Sequence, residues 1–500
     1  PQSERGAWPT HKIAAPGPSE TARLVDVDRD GNVDLLPNGT TYAAWWELLP
    51  RGKSSSAESV RWARHELPKE LAAHGIGFGD LDGDGRGDLV GPRGWFRAPR
   101  DPRGEDWQWQ PEFRLHRDCS IPILVFDVDA DGYYGTLMSE FGDYVPKAEE
   151  FPAFTEAVKR LGQESKFRNK VFYPFTYSSM VQTERTKTFL KTVLEAGYRW
   201  AEECYLQELP AENDALSYID GALKQYLINY QNTFPGCQRQ LIMNLGFMSL
   251  PHLNLDINPQ VDYKVFLDMQ MNLIANDPVF LGTYGISWYH SAYADEEMVR
   301  WSAKLNRHYC IEGKKDRLSV DPYILPHIQN PDFDEGLTAW ECEPAEEGTI
   351  AAGQAQEYGK RQGRYKSRGE GNHFLITKRS AKAPNRVSQQ IRNLTPGRLY
   401  SIRMLVSDYT DLSQRKGVRK TNHVSVVIDG AAVLPKKTFR EIVHSDPAGD
   451  TLYMTYQRMV FRAKSETAKL VISDWDARPI GPIGQELAIN FIQIQPYLED

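Results

Sequence analysis

Carboxylates mark the places where this sequence could do chemistry, and the tightest of them recur. Asp26, Asp28, Asp30 and Asp34 surround Gly31, with Asn32 at the seventh position of the loop. The pattern returns as Asp80, Asp82, Asp84 and Asp88 around Gly85, with Arg86 at the seventh position, and begins again at Asp127, Asp129 and Asp131. Aspartates at positions 1, 3, 5 and 9, with a glycine that permits a sharp turn at position 6, wrap a hard cation such as calcium in oxygen ligands. Four carboxylates crowded into nine residues repel one another unless a cation is shared, so all thirteen positions stand as candidate cation-loop residues. The third copy has Gly135 where the ninth-position aspartate belongs, and so lacks one ligand.

A second set of acids ends strand-like runs. Glu140 closes Thr136–Glu140 with Asp143 just beyond, Glu202 and Glu203 close Tyr198–Glu203 with Glu208 following, and Asp295, Glu296 and Glu297 follow Gly285–His290. Glycoside hydrolysis needs one carboxyl as proton donor and another as nucleophile or base, about 5–10 Å apart. Glu140 and Glu203 are the candidate pair. Side chains alternate along a strand, so only one of Glu202 and Glu203 can face such a site, and parity alone does not say which. Tyr177, Trp200 and Trp288 offer faces for sugar rings, and Asn244, His290 and Glu202 offer hydrogen bonds to hydroxyls, which makes these six the candidate substrate-binding residues. Asp295–Glu297 open a helix, where acids are favoured by its dipole without any catalytic role. His252 and His290 lack metal-ligand spacing.

Three kinds of texture must position these residues. A chain of 500 residues exceeds one ordinary domain. Residues 1–132 carry the aspartate repeat, whose copies start 54 and then 47 residues apart, a blade-sized period. Strand candidates such as Tyr42–Leu49 and Gly94–Phe96 lie between them. From 133 to 320 short apolar runs alternate with amphipathic helices: runs at Gly135–Phe141, Lys170–Tyr177, Tyr198–Tyr205, Gln240–Phe247 and Val279–Tyr289, helices from Phe151, Thr183 and Glu212 and over Asp262–Ala275 and Asp295–His308. Five strand–helix units of this kind read as a parallel sheet or part of a barrel. Residues 321–500 alternate valine, isoleucine and threonine with polar residues, as in Val424–Ile428 before the Asp429-Gly430 turn, and predict an antiparallel β-sandwich. Ala355–Gly371, rich in Gly, Arg and Lys, reads as an exposed loop, and Trp340 as a core residue.

Composition narrows the partners. A net charge of −8 argues against nucleic acid. Five scattered cysteines form neither a zinc spacing nor a disulfide framework, and no apolar run is long enough to span a membrane. The chain opens at Pro1 without a leader sequence, as a trimmed form would, so a secreted or extracellular-surface location is argued from the motifs alone.

The aspartate loops, followed by strand-like residues such as Val33–Leu36, resemble FG-GAP or VCBS repeats of integrin-type propellers and bacterial surface proteins, which implies calcium and an incomplete propeller-like module over the first quarter. The middle segment resembles (β/α)8 glycoside-hydrolase-like proteins through Ser139-Glu140-Phe141, Trp200-Ala-Glu202-Glu203 and Asp295–Trp301, with five units where a closed barrel has eight. Asn330–Trp340, Val387–Tyr400 and Phe491–Ile494 resemble jelly-roll carbohydrate-binding modules. Together these resemblances imply a multidomain chain of β, partial TIM-barrel-like α/β and β-sandwich parts. They point to a glycoside hydrolase that binds a polysaccharide or other glycan, or alternatively to a non-catalytic, calcium-stabilised surface protein that binds glycan or protein.

Overall fold

The computed structural model describes residues 13–49, 61–73, 75–104, 106–111, 124–127, 134–141, 150–163, 172–176, 180–248, 254–289, 296–364, 370–445, 451–475 and 481–499. Among them the chain is a β-rich multidomain protein with five sheets. Two are four-stranded antiparallel meanders that repeat one another. The first is β1 (Ser19–Val25), β2 (Asp34–Gly39), β3 (Ala44–Leu49) and β4 (Arg61–Glu66). The second is β5 (Gly77–Gly79), β6 (Asp88–Gly91), β7 (Gly94–Arg97) and β8 (Gln108–Gln110). In each, an aspartate loop joins the first strand to the second, and the ninth loop position pairs with the residue before the first: Asp34 with Val25, Asp88 with Gly79. Trp45, Leu36, Leu89 and Phe96 fill a core shared by both meanders.

The third copy keeps that register inside a different sheet. β9 (Leu124–Asp127) pairs antiparallel with β10 (Tyr134–Phe141), with Gly135 opposite Phe126, the same ninth-position match. β10 is also the first of five parallel strands, followed by β11 (Phe172–Thr176), β12 (Trp200–Cys204), β13 (Leu241–Gly246) and β14 (Gly285–Tyr289), which lie side by side in chain order. The change of texture at Tyr133 therefore falls, in sequence, between two strands paired with each other.

Helices α1 (Phe151–Gln163), α2 (Glu184–Glu195), α3 (Glu212–Thr233), α4 (Tyr263–Asn276) and α5 (Glu296–Leu305) follow the five strands in turn. Thr183 caps α2 in a reciprocal capping box with Thr186, and Asp262 caps α4 through the Lys264 N–H, which explains why both helices start where they do. Phe141, fully buried, stacks on Phe189 of α2 with centroids 4.4 Å apart and meets Phe151 and Phe154 of α1 edge-on. Val279 and Phe280, expected in a strand, instead form a 3₁₀ turn capped by Asp277, with Pro278 at its start. Met298, Trp301, Leu305 and His308 share a buried face as their spacing predicts, although His308 lies in a π-helical turn, Asn306–Ile311.

The remaining strands form a sandwich. One sheet has the order β15 (Glu341–Glu343), β18 (Arg386–Ile391), β24 (Ala468–Ser473), β20 (Ser425–Asp429). The other runs β16 (Ile350–Gln354), β17 (His373–Lys378), β25 (Glu486–Pro496), β19 (Leu399–Asp408), β23 (Tyr453–Ala463), β21 (Ala431–Val433), with β22 (Phe439–His444) also on β23. Tyr400, Ile402, Met404 and Val406 face the core between the sheets, and Trp340 stacks on Phe333 there. The outer face of the larger sheet is not exposed: strand alternation puts Ser401, Arg403, Gln493 and Gln495 there, yet all four are buried, and residues of the α/β part meet two of them. Arg403 pairs with Asp256, and Gln493 donates to the Val261 carbonyl. The described part of Ala355–Gly371 is not an exposed loop either: Tyr358 and Arg364 are fully buried, the latter in a two-pronged pair with Asp332 (2.5 and 3.0 Å) under the Phe491 ring.

Candidate functional site

Two places gather chemically competent side chains. In the first aspartate loop the Asp30 and Gly31 amides donate to Asp26 and the Asn32 amide donates to Asp30, which folds the loop around its own carboxylates. Asp34, at the head of β2, accepts from the Val27 amide across the loop and from the Leu48 amide on β3, both at 3.0 Å. The second loop repeats this bond for bond: Asp84 and Gly85 donate to Asp80, Arg86 donates to Asp84, and Asp88 accepts from Leu81 and Ala98. Gly31 and Gly85 hold φ of 88° and 81°, which glycine alone adopts without strain.

In both loops the carboxylates at positions 1, 3 and 9 present oxygens within 4.8 Å of one another: Asp26, Asp28 and Asp34, then Asp80, Asp82 and Asp88. Such pairs repel by on the order of 3 kcal/mol each at an effective dielectric of about 20. Burial pushes Asp28 and Asp34 above the usual carboxylate range and Asp88 up to about 6, whereas hydrogen bonds from Asn32 hold Asp30 below it. These acidic clusters could bind a metal ion. The donor set is entirely oxygen. The buried Oδ2 of Asp28 lies 2.5 Å from the Arg103 guanidinium, which partly offsets the charge of the cluster.

Arginines occupy the fifth-position side of the second loop. Arg86 pairs with Asp84 and donates to the Ala98 carbonyl, so its part in holding an ion would fall to its main-chain carbonyl. Of the third copy, Asp127 ends β9 with only its backbone described, and Asp129 and Asp131 lie outside the described residues.

The second place is the end of the parallel sheet. Glu202 and Glu203 part company there. Glu202 is fully buried on the helix side, its Oε2 accepting from Thr176 (2.7 Å) and from Tyr230 of α3 (2.6 Å). Trp200, two residues earlier, is equally enclosed against Tyr230. Trp288 also turns to the helix side, its ring nitrogen donating to Asn306. These three serve packing and leave the other face to Glu203.

On that other face, Glu203, Asn244 and Ser287 are direct neighbours across β12, β13 and β14. Ser287 donates to Asn244 Oδ1, and Asn244 Nδ2 donates to the Tyr205 hydroxyl, each at 2.9 Å. Tyr205 stacks on Tyr289, centroids 5.5 Å apart. Gly246 makes the room for this: a methyl there would lie 3.0 Å from the Tyr205 ring and 2.7 Å from Leu255. Sequence reasoning singles out Glu203 and Asn244 but neither Ser287 nor the stacking of Tyr205 on Tyr289. The i, i+2 spacing of 203/205 and 287/289 was the available signal. Glu140 is the penultimate residue of β10, with only its backbone described; Tyr177, His252, His290 and Asp295 lie outside the described residues.

No protein-family model matches the chain, and no curated protein matches it. Solved structures similar to it include the carbohydrate-binding module TmCBM61 in complex with beta-1,4-galactotriose, at 12% identity and a TM-score of 0.20, covering 34% of this chain and 97% of that one. Another is the enzymatically active domain of bacteriophage CBA120 tailspike protein 4, at 8% and 0.24, covering 66% of this chain and 39% of that domain. A third is a CBM4 module, at 12% and 0.16, covering 34% and 99%. At these identities and scores, what the site does has to be read from its own side chains. No helix among the described residues is long and apolar enough to cross a membrane.

Proposed function

We propose that this is a carbohydrate-active protein working outside the cell, a glycoside hydrolase whose carboxylate pair is Glu203 and Glu140 at the end of an incomplete (β/α) barrel. The observation that carries the reading is the row Glu203–Asn244–Ser287 beside the stacked Tyr205–Tyr289 pair. An acid, an amide and a hydroxyl in line, next to the exposed Tyr289 ring stacked on Tyr205, suit a polyhydroxylated ring with one polar edge and one C–H face. Glu140 lies two strands from Glu203, and two strand spacings are about 10 Å, near the upper end of what hydrolysis requires. Calcium held by the aspartate repeat stabilises the paired meanders. The sandwich serves as a glycan-binding module through its rim, since the outer face of its larger sheet is covered.

The test is hydrolysis of a polysaccharide panel by the full chain and by Glu203→Gln in calcium. Reducing ends from the parent and none from the variant support the reading. One observation favours a second reading, a calcium-stabilised glycan-binding protein without catalysis: among the described residues the sheet stays open, with β9 and β14 each paired on one side only. Glycan binding with no hydrolysis by the parent would decide for it.

A further inference from the structure

The two aspartate loops match bond for bond, yet one neighbouring position has changed sign between them. Asp34 takes its second amide from Leu48, and Asp88 takes the same bond from Ala98. Leu35 pairs with Trp46 as Leu89 pairs with Phe96. Glu47 on β3 and Arg97 on β7 therefore occupy one structural position, next to the loop.

Glu47 brings a carboxylate beside the first loop, with oxygens of Asp28, Asp30 and Glu47 all within 4.8 Å, its Oε1 accepting from Arg103 and its Oε2 2.7 Å from His65. Arg97 does the reverse in the second, reaching Asp82 at 2.6 Å and Asp84 at 3.3 Å, with Arg86 also on Asp84. Around the first loop stand Asp26, Asp28, Asp30, Asp34 and Glu47, with Arg103 on three of them and His65, counted as neutral, on Glu47; around the second stand Asp80, Asp82, Asp84 and Asp88 with Arg86 and Arg97, formal balances of −4 and −2. Arg29 leans from the first loop onto the Gly85 carbonyl of the second, bringing one more positive charge to it.

We propose that the loops have divided their work: the first, completed by Glu47, is the divalent-cation site, and the second is neutralised from within by Arg97 and Arg86. Affinity in oxygen cages rises with ligand charge, and an entering ion must displace one guanidinium, Arg103, at the first loop but two, Arg86 and Arg97, at the second. The proposal rests on the calcium reading above. Arg103 belongs to the second meander and meets Asp28 at 2.5 Å and Glu47 at 2.8 Å, so an ion in the first loop also loosens or redirects the contact between the meanders.

The test is calcium titration of the full chain by calorimetry, with terbium luminescence excited through tryptophan as a second readout. Circular dichroism confirms that each variant folds. Expected is one tight uptake that Asp28→Asn abolishes and Asp82→Asn leaves in place. Glu47→Gln weakens it 10- to 100-fold, and Arg97→Gln adds a second uptake. Equal losses in Asp28→Asn and Asp82→Asn, or a tight uptake that follows Asp127→Asn, would overturn the division while leaving calcium binding intact. No uptake by the parent would sink the calcium reading and the division together.

Discussion

Replacing Arg403 by methionine probes the contact between the α/β part and the sandwich. Its guanidinium, almost wholly buried, pairs with the buried Asp256 and with Gln493 Oε1. Burial pushes Asp256 above the usual carboxylate range, and Arg403 is the chief opposing influence, with the Gln493 hydrogen bond and then Lys264 weaker ones. Glu208 lies close by, pushed well up by burial and then by Asp256, and its Oε2 has no hydrogen-bond partner. Without Arg403 the cheapest escape for Asp256 is to take up a proton. Raising an aspartate from its ordinary 3.9 to protonation at pH 7 costs about 4 kcal/mol, within the ~3–5 kcal/mol typical of breaking a buried ion pair.

The sign follows from linkage. In the variant the folded chain holds a proton on Asp256 that the unfolded chain releases above about pH 3.9. The deficit relative to the parent opens above the raised folded pKa that Asp256 already has beside Arg403, grows from there by about 1.4 kcal/mol per pH unit, and is therefore larger at pH 7 than at pH 5. Urea unfolding of parent, Arg403→Met and Arg403→Met/Asp256→Asn at both pH values measures it. The double variant should recover at least about 2 kcal/mol at pH 7 and lose the pH dependence. A deficit below about 1 kcal/mol at pH 7, or one equal at pH 5 and pH 7, would refute this account of the contact.

Glu202→Gln should retain hydrolysis where Glu203→Gln loses it, because Glu202 is tied to Thr176 and Tyr230 away from the site; equal losses in both would mean the faces are assigned wrongly. Gly246→Ala should cost about 1–3 kcal/mol in thermal unfolding and weaken glycan binding, by pushing Tyr205 off Asn244; unchanged affinity would remove Tyr205 from the site. Phe141→Ala should cost about 3–5 kcal/mol by emptying the ring cluster between α1 and α2, read as a lowered urea midpoint.

Periodicity made much of the architecture legible: nine-residue aspartate loops, strand and helix runs in alternation, and valine-rich two-residue alternation afterwards. What escaped was set by partners distant in sequence. Parity separates Glu202 from Glu203, but Tyr230, a helix away, determines which of them is enclosed. The equivalence of Glu47 and Arg97 is invisible in spacing, since they follow Asp34 and Asp88 by 13 and 9 residues. The β2–β3 connection is longer than the tight turn between β6 and β7, so only the ladder reveals the match. Alternation sends Arg403 and Gln493 to an outer face, and nothing local announces that another part of the chain will cover it.

The β9–β10 pairing, where the third aspartate copy opens the parallel sheet, also bears on the order of assembly. Parallel strands pair across long stretches of chain, so their contacts form late and at high entropic cost. A pairing between strands as near in sequence as β9 and β10 forms first and offers β11 a finished edge on which to add. A fragment begun at residue 133 discards that template and exposes β10 as a bare edge, while one begun upstream of Leu124 keeps it. The aspartate repeat thus ends in the strand from which the rest of the sheet can grow.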